Sequence, residues 1–142
     1  MPRGQAKQQF SARFGQALLG RLRERSSATG TPQTALAERY IDEGLRMDEH
    51  PGIYFRDGGS GRRPAVLGTR LDVAQVIETL RQNGNSIEET AEYLDLGAAQ
   101  VEAAVRYYAV FTDEVAAWIE QGRAIADRER ELRRRQDQVL AG

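Results

Sequence analysis

Lys7–Gln16 reads KQQFSARFGQ, and the fold turns on this stretch. Phe10, Ala12 and Phe14 alternate with Gln9, Ser11 and Arg13, a period of two that predicts a β-strand with one apolar and one polar face. The residues after it have helical spacing, so no second strand follows to pair with it. A lone strand leaves a row of backbone donors and acceptors without partners. The strand therefore needs a partner from outside its own subunit.

The next residues show why that partner is a second copy. GQALLGRLRERSSAT places Leu18, Leu19 and Leu22 on one side and arginines on the other, predicting an amphipathic helix over residues 16–28 that Gly30 terminates. In TPQTALAERYIDEGLRM, Thr31 is the expected N-cap and Pro32 the first helical residue. Leu36, Tyr40 and Gly44 share a stripe, flanked by Ala37, Ile41 and Leu45, to about Met47. A strand and two helices in fewer than about fifty residues enclose too little core to be stable alone. Two copies with antiparallel strands and one shared core solve both problems, so a homodimer is expected.

Strand, helix, glycine turn and helix, in this order and spacing, resemble the ribbon-helix-helix family of bacterial repressors over residues 6–47. QFSARF and the GTPQT turn carry the resemblance. It implies that the paired ribbon lies in the major groove of operator DNA, with Lys7, Gln9, Ser11 and Arg13 facing it. Glutamine pairs well with adenine and arginine with guanine. It also implies that the start of the second helix, at Thr31, Gln33 and Thr34, holds a backbone phosphate with its free amides and positive dipole end.

Charge is distributed to match. The 142 residues carry a net charge of −1, but residues 1–30 hold six basic side chains and one acid. Residues 61–122 hold five basic and ten acidic side chains, and residues 123–142 six and four. A polyanion therefore belongs at the N-terminal segment and not against the middle of the chain. There is no cysteine, so disulfides and thiolate metal sites are excluded. No apolar run approaches a membrane span and no signal peptide is visible, which places the chain in the cytoplasm by default. Enzyme chemistry has little to stand on. The single histidine, His50, precedes Pro51 in a connection, and no cluster has metal-ligand spacing. RDGGSG lacks the spacing of a phosphate-binding loop. No catalytic residue, metal or cofactor is expected.

Beyond residue 48 a second module is predicted over residues 49–111. GIYFRDGGSGRRPAVLG reads as a hairpin of Ile53–Arg56 and Ala65–Leu67 around a glycine loop. TRLDVAQVIETLRQNG then reads as a helix. SIEETAEYLDLGAAQVEAAVRYYAVF reads as two more, joined near Asp95–Gly97 in a helix-turn-helix. Ser86 is the expected cap of the first of these, with Glu89 completing a capping box. The GTR opening, the G-x-S-x-E-E helix start and QVEAAVRYY make residues 52–118 resemble the small winged-helix family catalogued as domain of unknown function 433. That resemblance implies an antitoxin paired with a PIN-like ribonuclease toxin. A second DNA contact through a basic wing and the recognition helix falls to Arg62, Arg63, Gln100 and Arg106, with Arg56 and Arg70 nearby. The module's negative charge opposes it, and packing or dimerisation is the simpler role.

Residues 112–142 form the tail. Val115, Trp118, Ile119, Gly122 and Ile125 lie on one helical stripe, and apolar content falls sharply beyond Ala126. The reading is a packed helix over Thr112–Gln121 followed by a frayed one that orders on a partner. Glu129 and Arg133 are spaced for mutual support. By resemblance to antitoxins of PIN-type toxins, the tail binds the toxin. Trp118, Ile119, Ile125 and Leu132 are its anchors, and Arg128, Arg130, Arg133, Arg134 or Arg135 enters an acidic pocket. The chain is thus expected to be mainly α, with a ribbon-helix-helix module, a winged helix-turn-helix-like module and a helical tail. The expected role is a dimeric operator-binding antitoxin. The alternatives are a stand-alone repressor without a toxin and an interaction adaptor without DNA binding.

Overall fold

A computed structural model describes residues 6–142 and divides them at Pro51–Gly52 into two compact units. The first unit contains α1 (Gln16–Thr29) and α2 (Gln33–Glu49). Gly30 ends α1 in the left-handed conformation, at φ 70°, and donates its amide to the Ser26 carbonyl at 2.9 Å. That is the glycine stop the sequence predicts. Residues 6–15 ahead of α1 form neither helix nor strand in the single chain. A ladder needs a second strand, and no strand lies within residues 6–51 to supply one.

The start of α2 differs from expectation. Pro32 occupies the cap position at φ −55° and ψ 144°, no side chain caps the helix, and Thr31 lies outside it. Thr31 is instead tied into the turn: its amide donates to Thr29 Oγ1 and its carbonyl accepts from Ser26 Oγ at 2.6 Å. Those bonds take the threonine away from the first-turn amides, so the cap it was expected to provide is not made.

Very little is buried in this unit. Among residues 6–51, Leu36 is the one buried apolar side chain, and α1 buries none. Glu43, on the same helix, is buried beside Arg39 at 3.7 Å. Phe10, Phe14, Leu18, Tyr40, Ile41, Leu45 and Met47 all remain exposed.

The second unit is organised around a real core. Strands β1 (Ile53–Gly58) and β2 (Gly61–Val66) pair antiparallel, Ile53 opposite Val66 and Gly58 opposite Gly61. The hairpin is longer than the sequence reading gave, and Gly61 takes φ 122°, open to glycine alone. Three helices follow: α3 (Val73–Gln82), α4 (Ile87–Leu94) and α5 (Ala98–Val110). A capping box starts α3, with Gln75 N–H donating to Asp72 at 2.8 Å and Asp72 N–H donating to Gln75 Oε1 at 2.9 Å. Ser86 caps α4, its hydroxyl accepting from the Glu89 amide at 3.1 Å as predicted, but the Ser86 amide donates to the Asn83 carbonyl and not back to the Glu89 carboxylate. Asp95 turns the chain at φ 57° into α5.

Ile53, Val66, Val73, Val76, Ile77, Leu80, Val101, Ala104 and Tyr107 form one cluster with Val115 and Ile119 of α6 (Thr112–Ala141). Tyr107 is fully buried, 4.6 Å from Phe111 between ring centres, and its hydroxyl meets Glu114 at 3.2 Å. α6 runs unbroken from Thr112 through Gly122 to Ala141, so the packed helix and the helix expected to continue it are one element. The expected Glu129–Arg133 support is absent. Asp127–Arg130, Glu131–Arg134 and Glu131–Arg135 pairs brace the helix instead.

Candidate nucleic-acid and protein interfaces

In the first unit, Gln9, Ser11 and Arg13 are exposed, and Arg13 makes no ion pair among the described residues. Lys7 is exposed too, but its ammonium lies 3.1 Å from Glu38 on α2. At this exposure such a pair contributes little and yields readily to a stronger anion. Gln33 and Thr34 are exposed, while Thr31 is half-buried. Because no side chain caps α2, the amides of Gln33, Thr34 and Ala35 have no acceptor among the described residues. The missing cap leaves that helix end more open to an anion than the sequence reading supposed.

A groove of about 1070 Å³ runs along the same unit, lined by Phe10, Phe14, Leu22, Ala37, Ile41 and Leu45 among others. It is largely apolar and lies between the N-terminal segment and α2, with the Lys7–Glu38 pair also in its lining.

The arginines of the β1–β2 hairpin are mostly committed to the unit's own fold. Arg63 is wedged between the Asp72 carboxylate, at 3.2 Å, and the Trp118 ring, at 4.4 Å from the ring centre. Its side chain is 13% exposed, too little to reach a phosphate. Arg56 donates to the Arg70 carbonyl at 2.7 Å, and Arg62 sits 3.5 Å from Asp57. Gln100 is also engaged. Its carbonyl oxygen accepts from the Gly97 amide at 2.9 Å and its amide donates to Leu67 O at 3.1 Å, fixing the start of α5 to the loop after β2. Of the four residues proposed for a second DNA contact, Arg106 alone is exposed without such a bond. The exposed side chains of α4, its C-terminal cap and α5 include Glu88, Glu89, Glu92, Asp95 and Glu102. That negative charge opposes a phosphate backbone on these helices.

Residues 56–108 match the family described as Protein of unknown function (DUF433). The matched segment runs from Arg56 in β1 to Tyr108 in α5, somewhat shorter than the sequence resemblance covered. It takes in most of the hairpin and α3 to α5 up to Tyr108, and leaves out the first unit and α6. No curated protein and no solved structure matches the chain.

The residues assigned to the tail separate into two groups. Ile119 is 4% exposed and belongs to the core. Trp118 packs against that core with Arg63 over its face. Ile119 is closed to an outside partner while the unit is folded, whereas Trp118 is half-buried with Arg63 over its ring. Their spacing from Val115 is the signal that could have assigned them inward: 115, 118 and 119 form one face of the first helical turn. Ile125 and Leu132 are exposed, and so are Val139 and Leu140, which the sequence reading did not assign. Arg128 and Arg133 have no acidic partner among the described residues, whereas Arg130 and Arg134 each pair with a carboxylate on the same helix.

Proposed function

We propose that the chain is a homodimeric, operator-binding antitoxin whose projecting C-terminal helix neutralises a PIN-like ribonuclease toxin. The observation that carries the dimer is the apolar surface left open on residues 6–51, where Leu36 is the one buried apolar side chain. Ile41 and Leu45, both more than half exposed, line the groove beside Phe10 and Phe14. Burying side chains of this size contributes about 1.5–3 kcal/mol each. A second copy supplies the matching surface, and with it the partner strand for Lys7–Gln16.

Pairing those strands sets Gln9, Ser11 and Arg13 of both copies on one outward face, where they read base edges. The uncapped amides at Gln33 and Thr34 then hold phosphates. The tail reading is supported by the exposed Ile125 and Leu132 and by the unpaired Arg128 and Arg133 on α6. A guanidinium suits a cluster of carboxylates because it donates in pairs.

Gel shift with the chain's own promoter tests the DNA half. Arg13→Ala is expected to cost about 1–3 kcal/mol and to relax base preference at its position. Unchanged affinity and preference would remove the ribbon from the interface. Co-expression with the product of the adjacent gene tests the toxin half. A stable complex that R128E/R133E abolishes is expected. A chain that represses its promoter but binds no neighbouring product would be a stand-alone repressor.

A further inference from the structure

We propose that Arg21 and Arg25 of α1 grip the DNA phosphodiester backbone beside the bases that the ribbon reads. This contact rests on the DNA-binding reading above and adds a surface that neither the ribbon nor the start of α2 includes.

The two arginines are four residues apart and share one stripe of α1 with Ala17 and Ala28. Both are exposed, and the flanking alanines leave their guanidinium groups unobstructed. Neither makes an ion pair among the described residues, and Glu24, three residues from Arg21, pairs with neither. Like charges at this spacing destabilise a helix. No acid in the first turn and no cap at Gly15 offset that repulsion.

In the second unit Arg106, Arg128 and Arg133 are likewise open, but most hairpin and α6 arginines are compensated. Arg62, Arg63, Arg123 and Arg130 each lie beside a carboxylate. On α1 the charge is left open, on a helix that buries no side chain and so gains nothing from arginine in its own packing. An uncompensated, repulsive, exposed pair of guanidinium groups fits a ligand that brings negative charge at regular intervals. A phosphate backbone does so, and each phosphate neutralised releases condensed counterions.

The test is the salt dependence of duplex binding by the full chain, read by fluorescence anisotropy. One duplex is the chain's own promoter and the other has a scrambled sequence. In a dimer, R21A/R25A removes four phosphate contacts. The slope of log affinity against log salt should then become shallower by about 3–4, at roughly 0.9 per contact. Affinity should fall equally for both duplexes, leaving the ratio between them unchanged. R21K/R25K should retain the slope. Without DNA, R21A/R25A should be no less heat-stable than the parent, because alanine favours helix and the repulsion is gone. An unchanged slope while the parent binds its promoter overturns this contact alone. So does a loss confined to the promoter duplex. Failure of the parent to bind either duplex overturns the DNA reading and this contact together.

Discussion

Arg63 illustrates how one side chain can look like a ligand in sequence and prove to be structural. It lies in a basic run, Arg62–Arg63, where a winged helix would touch DNA. In the fold it is nearly covered, with Asp72 at 3.2 Å and the Trp118 ring at 4.4 Å. Asp72 is itself 6% exposed and also caps α3. Removing one member of such a pair leaves the other charge buried without compensation, which costs about 3–5 kcal/mol. Arg63→Ala should therefore lower the stability of the second unit by about 3 kcal/mol in urea denaturation, with tryptophan fluorescence following the loss of Trp118 packing. Arg106→Ala, at an exposed position without a partner, should stay within about 0.5 kcal/mol of the parent. Gly52 is a second residue on which the fold depends. A Cβ built there would lie 2.8 Å from Ala103 Cβ, so Gly52→Ala forces the hairpin and α5 apart. Overpacking of this kind costs about 1–3 kcal/mol, again readable in urea.

At the scale of elements, the legible parts were those set by local chemistry. Gly30 stops α1, Ser86 starts α4, and the turn at Asp95 leads into α5 over Ala98–Val110, because each signal acts within a few residues. Misreadings arose where tertiary partners decide. Thr31 looked like a cap, but Ser26 and Thr29 hold it in the turn. Gln100 looked like a base reader, but Gly97 and Leu67 claim its amide. Trp118 and Ile119 looked like anchors for a partner, but α6 turns that face onto its own module. The polar composition past Ala126 pointed to a frayed tail. The i, i+3 and i, i+4 ion pairs at Asp127 and Glu131 sustain helix without burial. Because Ile119 is the last buried residue of α6, truncation after Ala126 should leave the melting temperature of the second unit within about 2 °C of the parent. The same truncation should abolish capture of the adjacent gene's product in co-expression.

For the whole molecule, the two units should differ in what their stability depends on. Residues 52–142 close a core within one chain, from Ile53 through Tyr107 to Ile119. Their unfolding should be independent of protein concentration. Residues 6–51 bury Leu36 and leave Ile41 and Leu45 open, so on the proposed dimer their order should depend on association with a second copy. Each tenfold dilution then weakens that unit by about 1.4 kcal/mol. Calorimetry at two concentrations tenfold apart should show one transition that moves by several degrees and one that stays fixed. I41D/L45D should remove the mobile transition, reduce the mass in light scattering to that of one chain, and leave the fixed transition in place. It should also abolish promoter binding although it changes no proposed DNA-contacting residue, because the ribbon exists only where two strands meet. A double variant that stays dimeric, or one that is monomeric yet binds the promoter with parental affinity, would separate DNA binding from the pairing of Lys7–Gln16.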